Sequence, residues 1–357
     1  GKTFSTTNLF IGAGSTITVP DGCTITAANI TCEGTGGLIK LEPGFKPLTI
    51  SGKESAGTIK LVSDTPIEDD VQILNSANCP LGVFDVSGIK GESTDYCLTR
   101  TGSKVYCRKA AFLMNSVRYA TFADMVSEIE RVKDPTAVYD IKMQSDYDAA
   151  GALKFPKAGT CGEIKVIGSD YTITFTGNLS LTGNTSLNTV TLRSVNAAGV
   201  SAAYTMTVTN GDLSASGVNF GDITAITAAN RKISLNVVTL GSKPVKIAAK
   251  EFSFMKVTGM VDSLTVDTIA ATGSDDAQNT LKMLEKKQSR VNVGITDSSH
   301  KITFYYVKAD GTDAPLVKGT VLFTVFKGNW DYTHNVWTDP FGASRDPKTF
   351  RVTASLH

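Results

Sequence analysis

Apolar residues recur along this chain as pairs two positions apart. They run Ile164/Val166, Ile173/Phe175, Leu179/Leu181, Val190/Leu192, Met206/Val208, Ile233/Leu235, Val245/Ile247, Phe252/Phe254 and Leu264/Val266. An earlier set, Ile17/Val19, Ile30/Cys32, Ile39/Leu41, Leu48/Ile50, Ile59/Leu61 and Val71/Ile73, has the same spacing. Two-residue spacing is the period of a strand, whose successive side chains point to opposite faces. Each burst is short, and Gly, Asn, Ser and Asp break the bursts apart, as in Gly34-Thr35-Gly36-Gly37. Short strands that keep coming, without long helical patterns between them, predict a β-solenoid.

The pairs align into families. Leu179/Leu181, Leu213/Ala215 and Val245/Ile247 form one; Val190/Leu192, Val218/Phe220 and Phe252/Phe254 a second; Met206/Val208, Ile233/Leu235 and Leu264/Val266 a third. Their separations of 27–34 residues predict a three-sided parallel β-helix whose inward apolar residues stack from rung to rung. The period turns helical at Phe122, Met125, Val126, Ile129 and Val132, which share one helix face. Thr121 and Asp124 suit a capping box and Asp134-Pro135 a stop, so a helix is predicted over 121–133. A second helix is expected at 276–288, from Leu281 and Leu284, with Ser274, Asp275 and Asp276 at its start. Beyond it, Val291/Val293/Ile295, Ile302/Phe304/Tyr306 and Val321/Phe323/Val325 read as antiparallel strands capping the solenoid. The fold class is therefore all-β: a parallel β-helix with one inserted helix and an antiparallel β-rich cap. The pattern divides it into N-terminal rungs (1–90), an irregular insertion (91–158), a main β-helix (159–275) and a cap (276–357).

The segment from Thr121 to Leu192 runs helix, strand, Leu153-Lys154-Phe155-Pro156, a Gly turn, then Thr174-Phe175-Thr176-Gly177-Asn178-Leu179-Ser180-Leu181-Thr182-Gly183-Asn184. It resembles the β-helix repeat modules of large secreted surface proteins from gut bacteria, the adhesin-like or leucine-rich surface proteins. The resemblance extends over about 120–275. It implies attachment to the cell surface and contact with a host or microbial surface glycan or protein, and it carries over no catalytic residue.

Composition agrees with that setting. Charged residues are 19% of the chain, below the usual quarter, and about one residue in eight is Thr. Low charge with abundant Thr, Ser and Asn is expected of a secreted or cell-surface β protein from which a signal peptide has been removed. The net charge is +1, with no basic footprint for nucleic acid. No apolar run is long enough to span a bilayer. Neither a cofactor nor an oligomeric state is implied.

Candidate chemistry is sparse. The three histidines, His300, His334 and His357, lack the context of a hydrolytic triad. The acidic stretch Asp64-Thr65-Pro66-Ile67-Glu68-Asp69-Asp70 reads as a solvated turn, with Glu68, Asp69 and Asp70 a weak calcium site. Cys97 and Cys107 flank a Gly turn and are the disulfide candidates. The Thr-x-Thr arrays at 172–176, 189–191 and 205–209 suit exposed strands, and a flat stack of them would order water. The best ligand candidate contains both tryptophans: Trp330, Tyr332, His334, Trp337 and Asp339, whose aromatic faces and polar groups suit sugar rings. The alternative role for Trp330 and Trp337 is to plug the solenoid end. The reading is a non-enzymatic surface module for adhesion or glycan binding. A polysaccharide lyase or glycoside hydrolase is the first alternative and a structural assembly component the second.

Overall fold

The computed structural model describes residues 1–357 except 33–34, 54–57, 69, 77–83, 91–95, 276, 285–288, 295–302, 308–320, 327–328, 332–335, 339–352 and 355–357. It is a β-solenoid of about 12 turns, with about 60% of residues in strands. The chain divides into two compact units, Gly1–Asp124 and Met125–His357.

The first unit is two-sided. Strands Thr3–Ile11, Thr24–Cys32, Leu48–Lys53 and Val71–Asn75 form one parallel sheet, and Thr16–Val19, Thr35–Leu41, Thr58–Val62 and Phe84–Gly88 the other. Thr3 pairs with Thr24, Thr26 with Thr49 and Leu48 with Leu74, so the rungs advance by 21, 23 and 26 residues. Ile11, Ile30, Ile39, Leu41, Leu48, Ile50, Ile59 and Leu61 are almost wholly buried between the sheets. An antiparallel hairpin, Tyr96–Thr101 with Lys104–Lys109, then pairs with Val71–Asn75 and ends the first sheet. Gly102 sits at its tip with φ 62°, the conformation that the first central position of a type II′ turn requires.

The helix spans Phe122–Val132. The Asp124 amide donates to Thr121 Oγ1 at 3.1 Å, the N-cap half of the predicted capping box, while Asp124 Oδ2 accepts from the Thr121 hydroxyl at 2.6 Å rather than from its backbone amide. Lys133, at φ 54°, ends it in the left-handed conformation of a C-terminal cap.

The second unit is three-sided. On its first face, Val138–Met143, Glu163–Ile167, Asn184–Asn188 and Leu213–Ser216 stack in parallel, followed by the end of Ile223–Thr239, the end of Val245–Thr258 and the end of Met260–Ala271. The second face stacks Tyr147–Asp148, Thr172–Thr176 and Thr191–Val195, continued by Asn219 and Thr239. The third stacks Leu179–Thr182 and Tyr204–Thr209 on the starts of the three long strands. Inward residues form columns: Ile164, Thr185, Leu213, Ile233, Phe252 and Ile269 follow one another up the first face, all nearly inaccessible.

Three expectations need correction. The predicted families mixed faces: Leu179 stacks on Met206, whereas Leu213 stacks on Thr185 and Ile233. On the first face the rungs advance by 28 residues (Thr185 to Leu213), 20 (Leu213 to Ile233), 19 (Lys232 to Glu251) and 17 (Glu251 to Thr268), mostly shorter than predicted. Corner loops of unequal length shift the spacing, and the 17-residue strand Ile223–Thr239 turns a corner at exposed residues 229–232, where its pairing register shifts. The second helix is replaced by a strand, Thr280–Leu284, with Leu281 and Met283 buried on either side of exposed Lys282. Its expected start is a turn in which the Gln278 amide donates to Asp275 Oδ1 at 2.9 Å. The terminal strands are not an antiparallel cap. Thr303–Val307 adds in parallel to Thr280–Leu284, and Ser289–Gly294 pairs in parallel with Val321–Phe326. Only Asn329–Asp331 and Val336–Thr338 pair antiparallel among the described terminal strands.

Candidate functional site

The parallel register that stacks the core also stacks what points outward. On the first face of the second unit, Glu163, Asn184, Asp212, Lys232 and Glu251 occupy one row in consecutive rungs. Two residues along each strand lies a second row, Ser186, Ser214, Ser234 and Ser253. These serines are the middle residues of Thr185-Ser186-Leu187, Leu213-Ser214-Ala215, Ile233-Ser234-Leu235 and Phe252-Ser253-Phe254, whose outer members face the core. Strand alternation therefore requires each serine to face out. Successive rungs lie about 4.8 Å apart, so the face carries hydroxyls at that repeat.

The two rows line a shallow open groove of about 290 Å³, from Glu163 to Lys232 and Ser234. Hydrogen bonds between rungs hold its wall. The Asp212 amide donates to Asn184 Oδ1 at 3.0 Å, and the Lys232 amide donates to Asp212 Oδ1 at 3.0 Å. The Ser186 hydroxyl donates to Glu163 Oε1 at 2.7 Å, and Lys165 Nζ lies 3.7 Å from Glu163 Oε2. Ser253 donates to Ser234 Oγ at 2.7 Å. Both Glu163 oxygens and one oxygen each of Asn184 and Asp212 are thus engaged in fixing geometry, and the Asn184 side-chain amide donates to the Gly162 carbonyl at 3.3 Å. The amide, hydroxyl and ammonium groups of Asn184, Ser214 and Lys232 line the groove with them. Such a surface can exchange hydrogen bonds with a polar, hydroxyl-bearing ligand in both directions.

The other faces are Thr-rich but less regular. Thr172, Thr191, Asn219, Thr239 and Thr258 follow one another on the second face, and Ser180, Thr207 and Thr227 on the third. Arg193 lies beside Thr174, so the Thr-x-Thr pattern at 172–174 does not repeat on the next rung.

None of the described residues singled out by sequence as site candidates lines this groove. Trp330 and Trp337 are direct register partners across the terminal hairpin. Tyr332, His334 and Asp339, like His300 and His357, lie outside the described residues. In the acidic stretch, Asp64 forms an ion pair with Lys40, which holds its carboxyl below the usual range. Asp70 accepts from Arg108 Nε at 2.5 Å, Glu68 is exposed and Asp69 lies outside the described residues. No three His, Cys, Asp or Glu side chains converge as a metal site among the described residues. The proposed disulfide is not formed: Cys107 lies opposite Leu98 and Cys97 opposite Arg108, so the two thiols project from opposite faces of the hairpin. Cys107 joins the main core of its unit, and Cys97 packs with Ala110 and Ala120.

The groove residues escaped the sequence reading because successive ones lie 20 to 28 positions apart and match no linear motif. The available signal was the small polar residue in the middle of each apolar pair. Comparison with protein-family models, with curated proteins and with solved structures found no match to this chain.

Proposed function

We propose that this chain is a non-catalytic binding module that acts outside the cell, at a cell surface or after secretion, with a surface glycan or glycan-bearing protein as its partner. The observation that carries this reading is the conversion of outward Ser, Thr and Asn positions into straight columns at one rung spacing. A rigid ladder of neutral hydrogen-bonding groups suits a polymer that repeats along its own length. The low charge of the chain and its Thr-rich outer faces suit an extracellular setting. No helix among the described residues is long and apolar enough to cross a membrane.

The test is a glycan-array screen of the intact protein beside a folded Trp330→Ala/Trp337→Ala variant. Binding by the intact protein supports the reading, and loss in the variant assigns contact to the terminal hairpin. An intact protein that binds no glycan refutes it and favours a structural role.

One observation favours a second reading as a carbohydrate-active enzyme. Glu163 and Asp212 line the same groove two rungs apart, about 10 Å along the sheet, near the upper end of the carboxylate separations of inverting glycosidases. Release of reducing ends from an array-positive polysaccharide, abolished by Glu163→Gln, would establish it.

A further inference from the structure

We infer that the groove between Glu163 and Lys232 binds an extended, uncharged polysaccharide lying parallel to the solenoid axis, with about one sugar against each rung. This inference rests on the binding-module reading and adds the place, direction and charge class of the ligand.

Direction follows from the register. Asn184, Asp212 and Lys232 form a wall running across the strands, and Ser186, Ser214 and Ser234 form a parallel row beside it. A chain lying along the strands would meet each group type once. A chain lying across them meets the same row of groups at every rung, about 4.8 Å apart, which is close to the advance of an extended pyranose polymer. From Glu163 to Lys232 the groove crosses three rung steps, about 14 Å, enough for three to four sugars.

Charge class follows from the lining. Glu163, Asp212 and Lys232 mix both signs within that length. A polyanion would meet the two carboxylates and a polycation would meet Lys232, so each carries a repulsive contact. A neutral chain of hydroxyls carries none, and serine, asparagine and carboxylate groups can each pair with a hydroxyl. Ser214 is exposed and small, which leaves room for a ring to rest against the sheet.

The experiment uses the full chain and neutral β-1,4-linked gluco-oligosaccharides and chito-oligosaccharides of two to eight sugars, measured by calorimetry. Two matched variants place one arginine on different outer faces: Ser214→Arg in the groove and Thr207→Arg on the third face, both at exposed strand positions. Circular dichroism and the melting midpoint establish that both fold. The expected result is affinity that rises to about four sugars and then levels off, falls at least tenfold in Ser214→Arg and is unchanged in Thr207→Arg. Equal binding by Ser214→Arg and the unmodified chain overturns the groove while leaving the binding-module reading in place. Loss only in Trp330→Ala/Trp337→Ala moves the ligand to the hairpin and also overturns it. Preference for charged oligosaccharides overturns the charge class, and no binding to any glycan overturns both readings together.

Discussion

Replacing Tyr204 with Phe should lower stability at neutral pH and remove an alkaline weakness. Tyr204 is 1% exposed, packs edge-on against Phe175 at 5.1 Å, and its hydroxyl donates to the Phe220 carbonyl at 2.7 Å. Removing the hydroxyl leaves a buried carbonyl without that donor, at a cost of about 1–3 kcal/mol. Burial also pushes the Tyr204 phenol well above its ordinary value. The sign follows from linkage. Below about pH 10 the phenol is protonated in both states and the stability it contributes is fully present. Above that value the unfolded chain releases the proton while the folded chain keeps it. Stability is then lost by about 1.4 kcal/mol per pH unit until the folded value is reached. Tyr204→Phe has no such proton, and the nine other tyrosines cancel in the comparison. The difference between the two proteins, about 1.5 kcal/mol at pH 8, should close near pH 11 and reverse beyond it. Urea denaturation followed by far-ultraviolet circular dichroism at pH 8, 10 and 11 measures it. A gap that stays constant over that range would refute the argument, because it would mean the folded phenol ionises as freely as the unfolded one.

Other substitutions probe the corners and the helix. Gly211→Ala places a Cβ against the Gly183 carbonyl carbon and the Asn184 nitrogen, closer than any real Cβ contact, so the backbone must shift; a loss of about 1–3 kcal/mol is expected in thermal melts. Val237 is β-branched at φ 52° and 43% exposed, so Val237→Asn should raise stability by about 1 kcal/mol, read as a higher melting midpoint. Thr121→Ala removes the helix cap and should cost about 0.5–2 kcal/mol, with faster amide exchange confined to the first turn. Alkylation of unfolded, unreduced protein should label both Cys97 and Cys107; a mass two hydrogens lower at this pair would contradict the hairpin register.

Much of the fold was legible because strand alternation is local. Ile164 and Val166, or Phe252 and Phe254, announce an inward face from two residues alone, and all four are buried. The helix was legible for the same reason, since its cap and apolar stripe lie within one short segment. Register was not, because it depends on corner lengths that no pattern reports. The corner after the first face shows why. Thr189, Gly217, Val237 and Lys256 occupy equivalent positions in four successive rungs, and all adopt positive φ between 46° and 65°. Glycine is expected there, but the stacking of flanking strands imposes the bend on two β-branched side chains and a long one as well. The strand at Thr280–Leu284 was misread because Leu281 and Leu284 also fit a helix, while Leu281 and Met283 carry the period that packing selects.

The same physics explains why chemistry on this scaffold is hard to see in one dimension. Each rung is stabilised by its two neighbours, so an inward position needs only to fill its column: Thr185 and Ala215 serve where Ile and Leu stand on other rungs. Outward positions carry little of that load and can vary without unfolding the coil. Four serines in one outward row over four rungs, beside a row of alternating amide, acid and base, are therefore not required by stacking. Nor does strand preference explain them, since Thr suits an exposed strand better than Ser and Thr outnumbers Ser in the rows of the other two faces. The first face departs from the chain's own habit, and it departs where the groove lies. That local exception, rather than any residue motif, is the argument for looking there for the ligand.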